Sequence, residues 1–473
     1  MRQRLYTSEN RKWWTLAAVA FGLFMIMLDN TVVNVALPSI QRDLGVGLSE
    51  LEWIVTGYAL SFAALMMTGG KLADLLGRRR IFVLGMVIFT ISSLLCGLAD
   101  SGNSLIGWRI VQGVGAALMN PATLAIISAT FPPQQRGMAI GIWAGVSALA
   151  LAIGPLVGGL ITEHIDWSWV FLVNVPVGVL GIVASYFLID ESRDTSVNQR
   201  LDLPGLVLSG IGLFSLTYAL IESNTYGWSS SRVAGGFVAA AVLLVAFVAW
   251  ERRTSAPMLD LSLFRNGTFA GANTVILLVG LAMFGVFFFV SLYMQNVLGY
   301  SAVQAGASFL PMTLLIILCA PIAGKLSDRF GSRWLMTVGM ALLGAQLLYY
   351  STLGVHEGFY DLLPGLLVGG VGMSLTMTPS AAAIIGSVPV DTAGVGSAVM
   401  NSMRQVGGSL GIALMGAIMA HEIAGRRTPE AFVDGFSKAL VVAALIAFAG
   451  AVVAAATVRK VRHETPALAP EPA

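Results

Sequence analysis

Charge is the scarcest commodity in this chain. Of 473 residues, 11% are Asp, Glu, Lys or Arg, whereas a soluble domain carries about 25% to cover its surface. Most of the surface therefore cannot face water. Cysteine is nearly missing: Cys96 and Cys319 both lie inside apolar runs and read as packing residues, not as a disulfide framework or a metal pair. Four scattered histidines form no ligand cluster, so no metal and no cofactor are expected. No G-x4-G-K-[ST] loop occurs, which excludes an ATP-driven pump of that type. The apolar runs lack the paired carboxylates a membrane transferase needs, so no enzyme is expected. A net charge of +2 with no separate basic block excludes a nucleic-acid partner.

What is present is apolar. Hydrophobic residues make up 56% of the chain, and mean hydropathy is +0.80. Runs of about 20 such residues, each long enough to cross the hydrocarbon core as a helix, recur throughout. They fall at 14–39, 51–73, 80–99, 104–127, 137–162, 168–189, 203–222, 233–250, 268–295, 304–324, 335–353, 361–385, 394–420 and 435–457. The expected fold is all-α and integral to a membrane, with fourteen spans. Arg2, Arg4, Arg11 and Lys12 precede the first run in the manner of a signal peptide. That run is far longer than the usual stretch of about 7–15 residues and ends in no small-residue cleavage site, so it reads as an uncleaved span.

Orientation follows from the basic residues. With the N-terminus inside, cytoplasmic segments hold 20 of the 27 Lys and Arg. External segments hold Arg42, Arg232, Arg426, Arg427 and Lys438, and the remaining two, Arg109 and Arg404, fall deep within spans. Both termini are expected in the cytoplasm. The Pro/Ala-rich end, 461–473, reads as a disordered tail.

The chain also repeats itself. Gly70-Lys71-Leu72-Ala73-Asp74 followed by Gly77 returns 254 residues later as Gly324-Lys325-Leu326-Ser327-Asp328 followed by Gly331. Gln41 and Leu44-Gly45 match Gln295 and Leu298-Gly299 at the same offset. Gly113-Val114-Gly115 matches Gly370-Val371-Gly372, and Gly154 matches Gly411, each 257 apart. Matches in one order point to a six-helix unit used twice in parallel. The offset exceeds six spans, and 203–250 fills the excess. The organisation expected is a six-helix half at 1–200, a two-helix insert at 201–255 and a second half at 256–460.

Polar residues inside the spans are few and grouped. Asp29, within Leu28-Asp29-Asn30-Thr31-Val32-Val33-Asn34, is the only acid deep inside a span; Asp74, Glu163 and Glu222 fall at span ends. A lone intramembrane carboxylate is a proton-site candidate, the alternative being a structural hydrogen-bonding Asp. Arg109 sits mid-span with Gln112 and Gly113 one turn on, sharing its face. An arginine there costs about 2.5–3.5 kcal/mol on insertion scales, so it faces a cavity, a partner or an interhelical tie. The fifth span carries Gly145, Gly154, Pro155, Gly158 and Gly159, a smooth face that lets another helix approach. Arg404-Gln405 with Gly407, Gly408 and Gly411 repeats the polar-plus-small pattern in span thirteen.

These motifs resemble the major facilitator superfamily, specifically its fourteen-helix drug:proton antiporter branch, over essentially the whole chain. Gly70, Asp74, Gly77, Arg78 and Arg79 fit its G-x3-D-x2-G-R-R signature, although Leu75 stands where the family often has a basic residue. Arg109-x2-Gln112-Gly113-x-Gly115 resembles the motif assigned to proton coupling. The fifth span resembles the antiporter signature, with Ala150 where glycine is usual. The resemblance implies two six-helix halves plus two inserted helices, and export of small apolar or amphipathic compounds driven by the proton gradient. Asp29 and Arg109 would couple protons. Gly70, Asp74, Gly77, Arg78, Arg79 and Asp328 would form a conformational latch, Asp74 pairing with arginine across the halves. Cavity candidates by depth and type are Asn34, Trp53, Tyr58, Gln112, Asn120, Phe288, Met377, Asn401, Arg404 and Gln405. The lone acid favours neutral or monocationic substrates. The expected partners are a small-molecule substrate, protons and the lipid bilayer of the cytoplasmic membrane, and the expected state is a monomer. The alternative on the same fold is a facilitator or exporter of one metabolite or lipid.

Overall fold

The computed structural model describes residues 8–193, 201–255, 257–388, 393–423 and 428–459. The expected tail at 461–473 lies outside the described residues, as do Arg426 and Arg427 and much of the 190–200 loop. Helices follow one another as α1 (Ser8–Leu44), α2 (Leu48–Leu76), α3 (Arg78–Gly97), α4 (Gly102–Thr130), α5 (Pro133–His164), the single turn α6 (Trp169–Leu172), α7 (Asn174–Leu188), α8 (Leu203–Tyr226) and α9 (Ser231–Glu251). A 3-10 turn, Leu261–Arg265, leads to α10 (Gly267–Asn296), α11 (Ala302–Ser308), α12 (Leu310–Phe330), α13 (Ser332–Tyr350), α14 (Phe359–Gly386), α15 (Ala393–Ile423) and α16 (Pro429–Thr457).

Among the described residues, thirteen stretches are helical, long and apolar enough to cross a membrane. The remaining expected span, 335–353, forms α13, a 19-residue helix. Ser332, Arg333, Thr337, Gly339, Gly344 and Gln346 dilute its apolar content, and it stands between α14 and α16. Helices pair most backbone groups internally, as the bilayer requires, with interior prolines such as Pro38, Pro121 and Pro155 as local exceptions. Where loops turn back, side chains take over the open amides: Asn266 accepts from Thr268 and Phe269 at the start of α10, and Ser301 with Gln304 closes a reciprocal cap on α11. Leu180, Phe187, Leu318, Leu445 and Val452 are all exposed on outward faces. An apolar exterior on this scale has one solvent that suits it, the lipid of a bilayer.

The helix ends define two faces of the bundle. The turns near residues 45, 100, 166, 228, 299 and 355, with the end of α15 and the start of α16, share one end, called here the far end; the start of α1 and the end of α16 share the other. The two apolar cores divide along the same axis. One joins far-end residues of the first helices, such as Val32, Leu37 and Leu51, to Phe289, Leu343 and Phe436 of the later ones. The other, around Leu23, Phe82 and Met119, contains only residues before 190. The early and late helices are therefore fused at the far end. Polar ties agree: Ser291 donates to the Asn34 carbonyl at 3.1 Å, Gln295 to the Val35 carbonyl at 3.0 Å, and Glu163 accepts from the Val303 amide at 2.9 Å. Helices α8 and α9 pack on each other, and α8 rests on α2 and α15.

Candidate coupling site

Four helices bring their polar residues to one buried point. Arg109 from α4 donates through Nη1 to Oδ2 of Asp29 on α1 at 2.5 Å, and neither side chain is more than 1% exposed. The same nitrogen reaches Oε1 of Gln112 at 2.7 Å, and Gln112 Nε2 donates back to Asp29 Oδ1 at 3.0 Å. Both carboxylate oxygens are thus held, by two residues one helical turn apart on α4. Arg109 Nε donates to the Ile54 carbonyl of α2 at 3.1 Å. Its guanidinium plane lies 4.2 Å from the ring centroid of Tyr58 and 5.6 Å from that of Phe171, a favourable seat for a desolvated cation.

A further layer fixes Gln112. Its Nε2 also reaches Ser93 Oγ on α3 at 3.1 Å; Ser93 donates to the Phe171 carbonyl and accepts from Asn174 Nδ2, each at 3.0 Å. Buried ion pairs persist when remaining donors and acceptors are matched in this way. Ser93 and Asn174 are absent from the sequence-derived candidates. Their signal was faint: a Ser-Ser step and an Asn, each ordinary inside an apolar run.

The glycines of α5 allow close approach on two sides. A Cβ on Gly158 would lie 2.5 Å from the Val32 carbonyl oxygen of α1, and one on Gly154 would strike Thr31. On the other side Gly159 lies against Ala302, and Gly306 of α11 lies against Pro155. Helix α5 is thereby pressed between the helix bearing Asp29 and the first helix turn after α10. Gly145, towards the other end, meets nothing.

Other candidates disperse. Tyr58 and Gln112 join the cluster, but Trp53 turns away and donates to Glu222 of α8 at 3.1 Å. Phe288 is fully buried against Phe289, their centroids 4.7 Å apart. Asn34 and Asn401 bond carbonyls of their own helices, and the Asn120 carbonyl accepts from Thr123. Met377 is half-buried against the large core. Gln405 is buried, and neither its Nε2 nor Nε of Arg404 meets an acceptor among the described residues. In the α2–α3 turn, Asp74 is bound by Arg78 at 2.8 Å within the same half, not across the halves as expected. The reason is proximity: Arg78 follows by four residues across Gly77, whose φ of +117° turns the chain sharply. Glu191 completes this corner, accepting from the Arg79 amide at 3.1 Å and facing the Arg79 and Arg80 guanidinium groups at 3.8 and 3.6 Å. Asp328 is exposed at the end of α12.

Buried acids beyond Asp29 escaped the sequence reading: Asp202 and Glu251 flank the inserted helices, and Glu52 is the most deeply buried of the three. Glu52, in the first turns of α2, is fully buried. Its position at the boundary of an apolar run hid it, because burial there comes from α8 and α15 lying over the helix end.

Residues 19–412 match the model of the Major Facilitator Superfamily. A tetracenomycin C resistance and export protein of Streptomyces glaucescens is 38% identical over 416 residues, 88% of this chain and 77% of that protein. A puromycin resistance protein of Streptomyces alboniger is 38% identical over 455 residues, 93% and 89% respectively. In fold the chain is similar to a bacterial homologue of the human lysosomal transporter Spinster, with a TM-score of 0.70 at 17% identity, covering 96% of this chain and 98% of that one. The matched family is one of transporters, and the relatives are named for resistance and export, so the chain is a transporter and not an enzyme. The chain belongs to the Major Facilitator Superfamily.

Proposed function

We propose that this transporter exports small amphipathic or apolar compounds, antibiotics among them, across the cytoplasmic membrane in exchange for protons. The observation that carries the reading is the Asp29–Arg109–Gln112 cluster: a fully buried carboxylate whose two oxygens are held by donors that a proton would replace. The relatives named for antibiotic resistance and export support the substrate class. The Lys and Arg distribution supports cytoplasmic termini and an external far end.

In this scheme the helices of 1–200 and 256–460 form two halves that rock about the cluster, with 201–255 inserted between them. Opening at the far end lets a proton reach Asp29. Protonation neutralises the carboxylate, releases Arg109 from it and allows the halves to return. On the cytoplasmic side the proton leaves, Arg109 re-engages Asp29, and substrate takes the cavity. Export then needs no bound cofactor, only the proton gradient. Arg404 and Gln405, with donors left open, contribute hydrogen-bonding capacity to the later half of the cavity. The α2–α3 corner of Gly70, Asp74, Gly77, Arg78 and Arg79, together with Asp328, acts as the latch between states.

The test is a drug-susceptibility panel on cells expressing the protein or its Asp29→Asn variant, each with and without a protonophore. Protection against several amphipathic drugs, removed by either the protonophore or the substitution, is expected. Protection that survives the protonophore would contradict proton-coupled export.

A further inference from the structure

Glu52 is the most unusual side chain outside the coupling cluster. It is 0% exposed, and neither carboxylate oxygen has a hydrogen-bond donor among the described residues. The carboxyl group lies against the backbone of Gly416 on α15, where any side chain would collide with it. Near it stands Glu222 of α8. Glu222 is fixed by Trp53, the residue next to Glu52, through the 3.1 Å indole bond. The apolar wall is made by Trp53, Ile221 and Ala413, with Ile106 and Tyr218 against them.

The three helices that meet here come from three parts of the chain: α2 from the first half, α8 from the insert and α15 from the second half. An ionised carboxylate without donors is not tolerated in such surroundings, and a second acid beside it makes charge still less tolerable. Among the described residues no compensating cation is in place. Arg109 on α4 is committed to Asp29 and Ile54. On α15, Arg404 lies three turns deeper and His421 lies beyond Gly416 towards the helix end. On α2 the nearest titratable neighbour inward is Tyr58, under Arg109, and on α8 it is Tyr218. A metal ion would need a set of oxygen ligands, and no group of three or more His, Cys, Asp and Glu occurs among the described residues. The proton is the cation that this site accommodates.

We propose that Glu52 and Glu222 form a second proton-binding site, and that the far end of the transporter closes only while this site holds a proton. Opening of the far end draws α15 away from α2 and wets Glu52, which then loses its proton to water. Closing buries it again and requires a proton to be taken up from the same side. The site gates the return step; its proton is not the one carried by Asp29, and the proposal does not rest on Asp29 being the carrier. It also gives the inserted helices a role, because α8 supplies the second carboxylate.

The experiment measures far-end opening by the distance between nitroxide labels at Asp100→Cys and Tyr360→Cys, both exposed far-end positions. The protein is reconstituted whole in lipid nanodiscs in an Asp29→Asn, Arg109→Gln, Cys319→Ala background, which leaves no unmatched Arg109 charge, with buried Cys96 left in place. Between pH 5.5 and 8.5 the open-to-closed ratio at the far end is expected to rise about tenfold, equivalent to about 1.4 kcal/mol. Glu52→Gln, which mimics the protonated form, is expected to stay closed at both pH values. Glu222→Gln is expected to reduce the rise to about twofold or less, and it carries the same test should Glu52→Gln not fold. A tenfold rise that persists in either variant, or no rise with both glutamates intact, overturns the proposal. Because Asp29 is already replaced, neither result bears on the coupling role of Asp29.

Discussion

Arg109 and Asp29 are 80 residues apart in sequence and 2.5 Å apart in the fold, with no water-exposed surface on either charged group. Removing one member of such a pair leaves the other charged and unmatched, which typically costs about 3–5 kcal/mol. Arg109→Gln should therefore lower thermal stability in detergent markedly. Asp29→Asn combined with Arg109→Gln should recover most of the loss, since no buried charge remains. Equal melting temperatures for Arg109→Gln and the unchanged protein would show that the pair is not buried as described.

Arg109→Lys separates charge from shape. The guanidinium uses Nη1 for Asp29 and Gln112 and Nε for Ile54 while lying over Tyr58. An ammonium keeps the charge but not the planar fork. The variant should reach the membrane and retain the fold, with export reduced by about tenfold or more, as expected for loss of at least one charge-assisted hydrogen bond of about 1.5–3 kcal/mol. Initial rates of efflux of a fluorescent drug from loaded cells give the comparison.

How much of this was legible beforehand depends on whether a residue's meaning is local or comes from packing. Asp29 and Arg109 were visible because a charge inside an apolar run is costly wherever it falls. Gln112 was visible because it follows Arg109 by one helical turn. Ser93 and Asn174 were not, since Ser and Asn are unremarkable inside a helix until a neighbour gives them partners. Trp53 and Phe288 have the type and depth of cavity residues, but the direction each side chain takes is set by helix packing. Glu52 was the largest omission: at the start of a span it reads as a solvated end, and only α8 and α15 make it an interior residue. Asp74 was read as reaching the other half, whereas the sharp turn at Gly77 brings Arg78 within its reach first.

Gly158 lies against the Val32 carbonyl oxygen with space for no side chain. Gly158→Leu should displace α5 from α1 and stop export. Gly145→Leu, at a position open on all sides, should be tolerated far better. Drug resistance of cells matched for membrane expression provides the measurement, and equal resistance for the two variants would contradict the need of export for the close approach of α5 to α1.

Asp74→Asn removes the carboxylate that Arg78 holds at 2.8 Å near the surface of the bundle. A partly exposed pair contributes little to stability, about 1 kcal/mol or less, so the variant should fold and bind ligand as before. If the corner acts as a latch, turnover should drop while affinity remains. Ligand binding and efflux rate measured on the same preparation distinguish this from a structural defect, which would lower both.

The central claim, that Asp29 carries the exchanged proton, is tested most directly in proteoliposomes. An imposed pH gradient drives drug movement by the unchanged protein or by Asp29→Asn at equal reconstitution. The account predicts gradient-driven transport by the unchanged protein and none above background by Asp29→Asn, which nevertheless still binds drug. Equal gradient-driven transport by both would contradict it and leave Asp29 as a structural partner of Arg109.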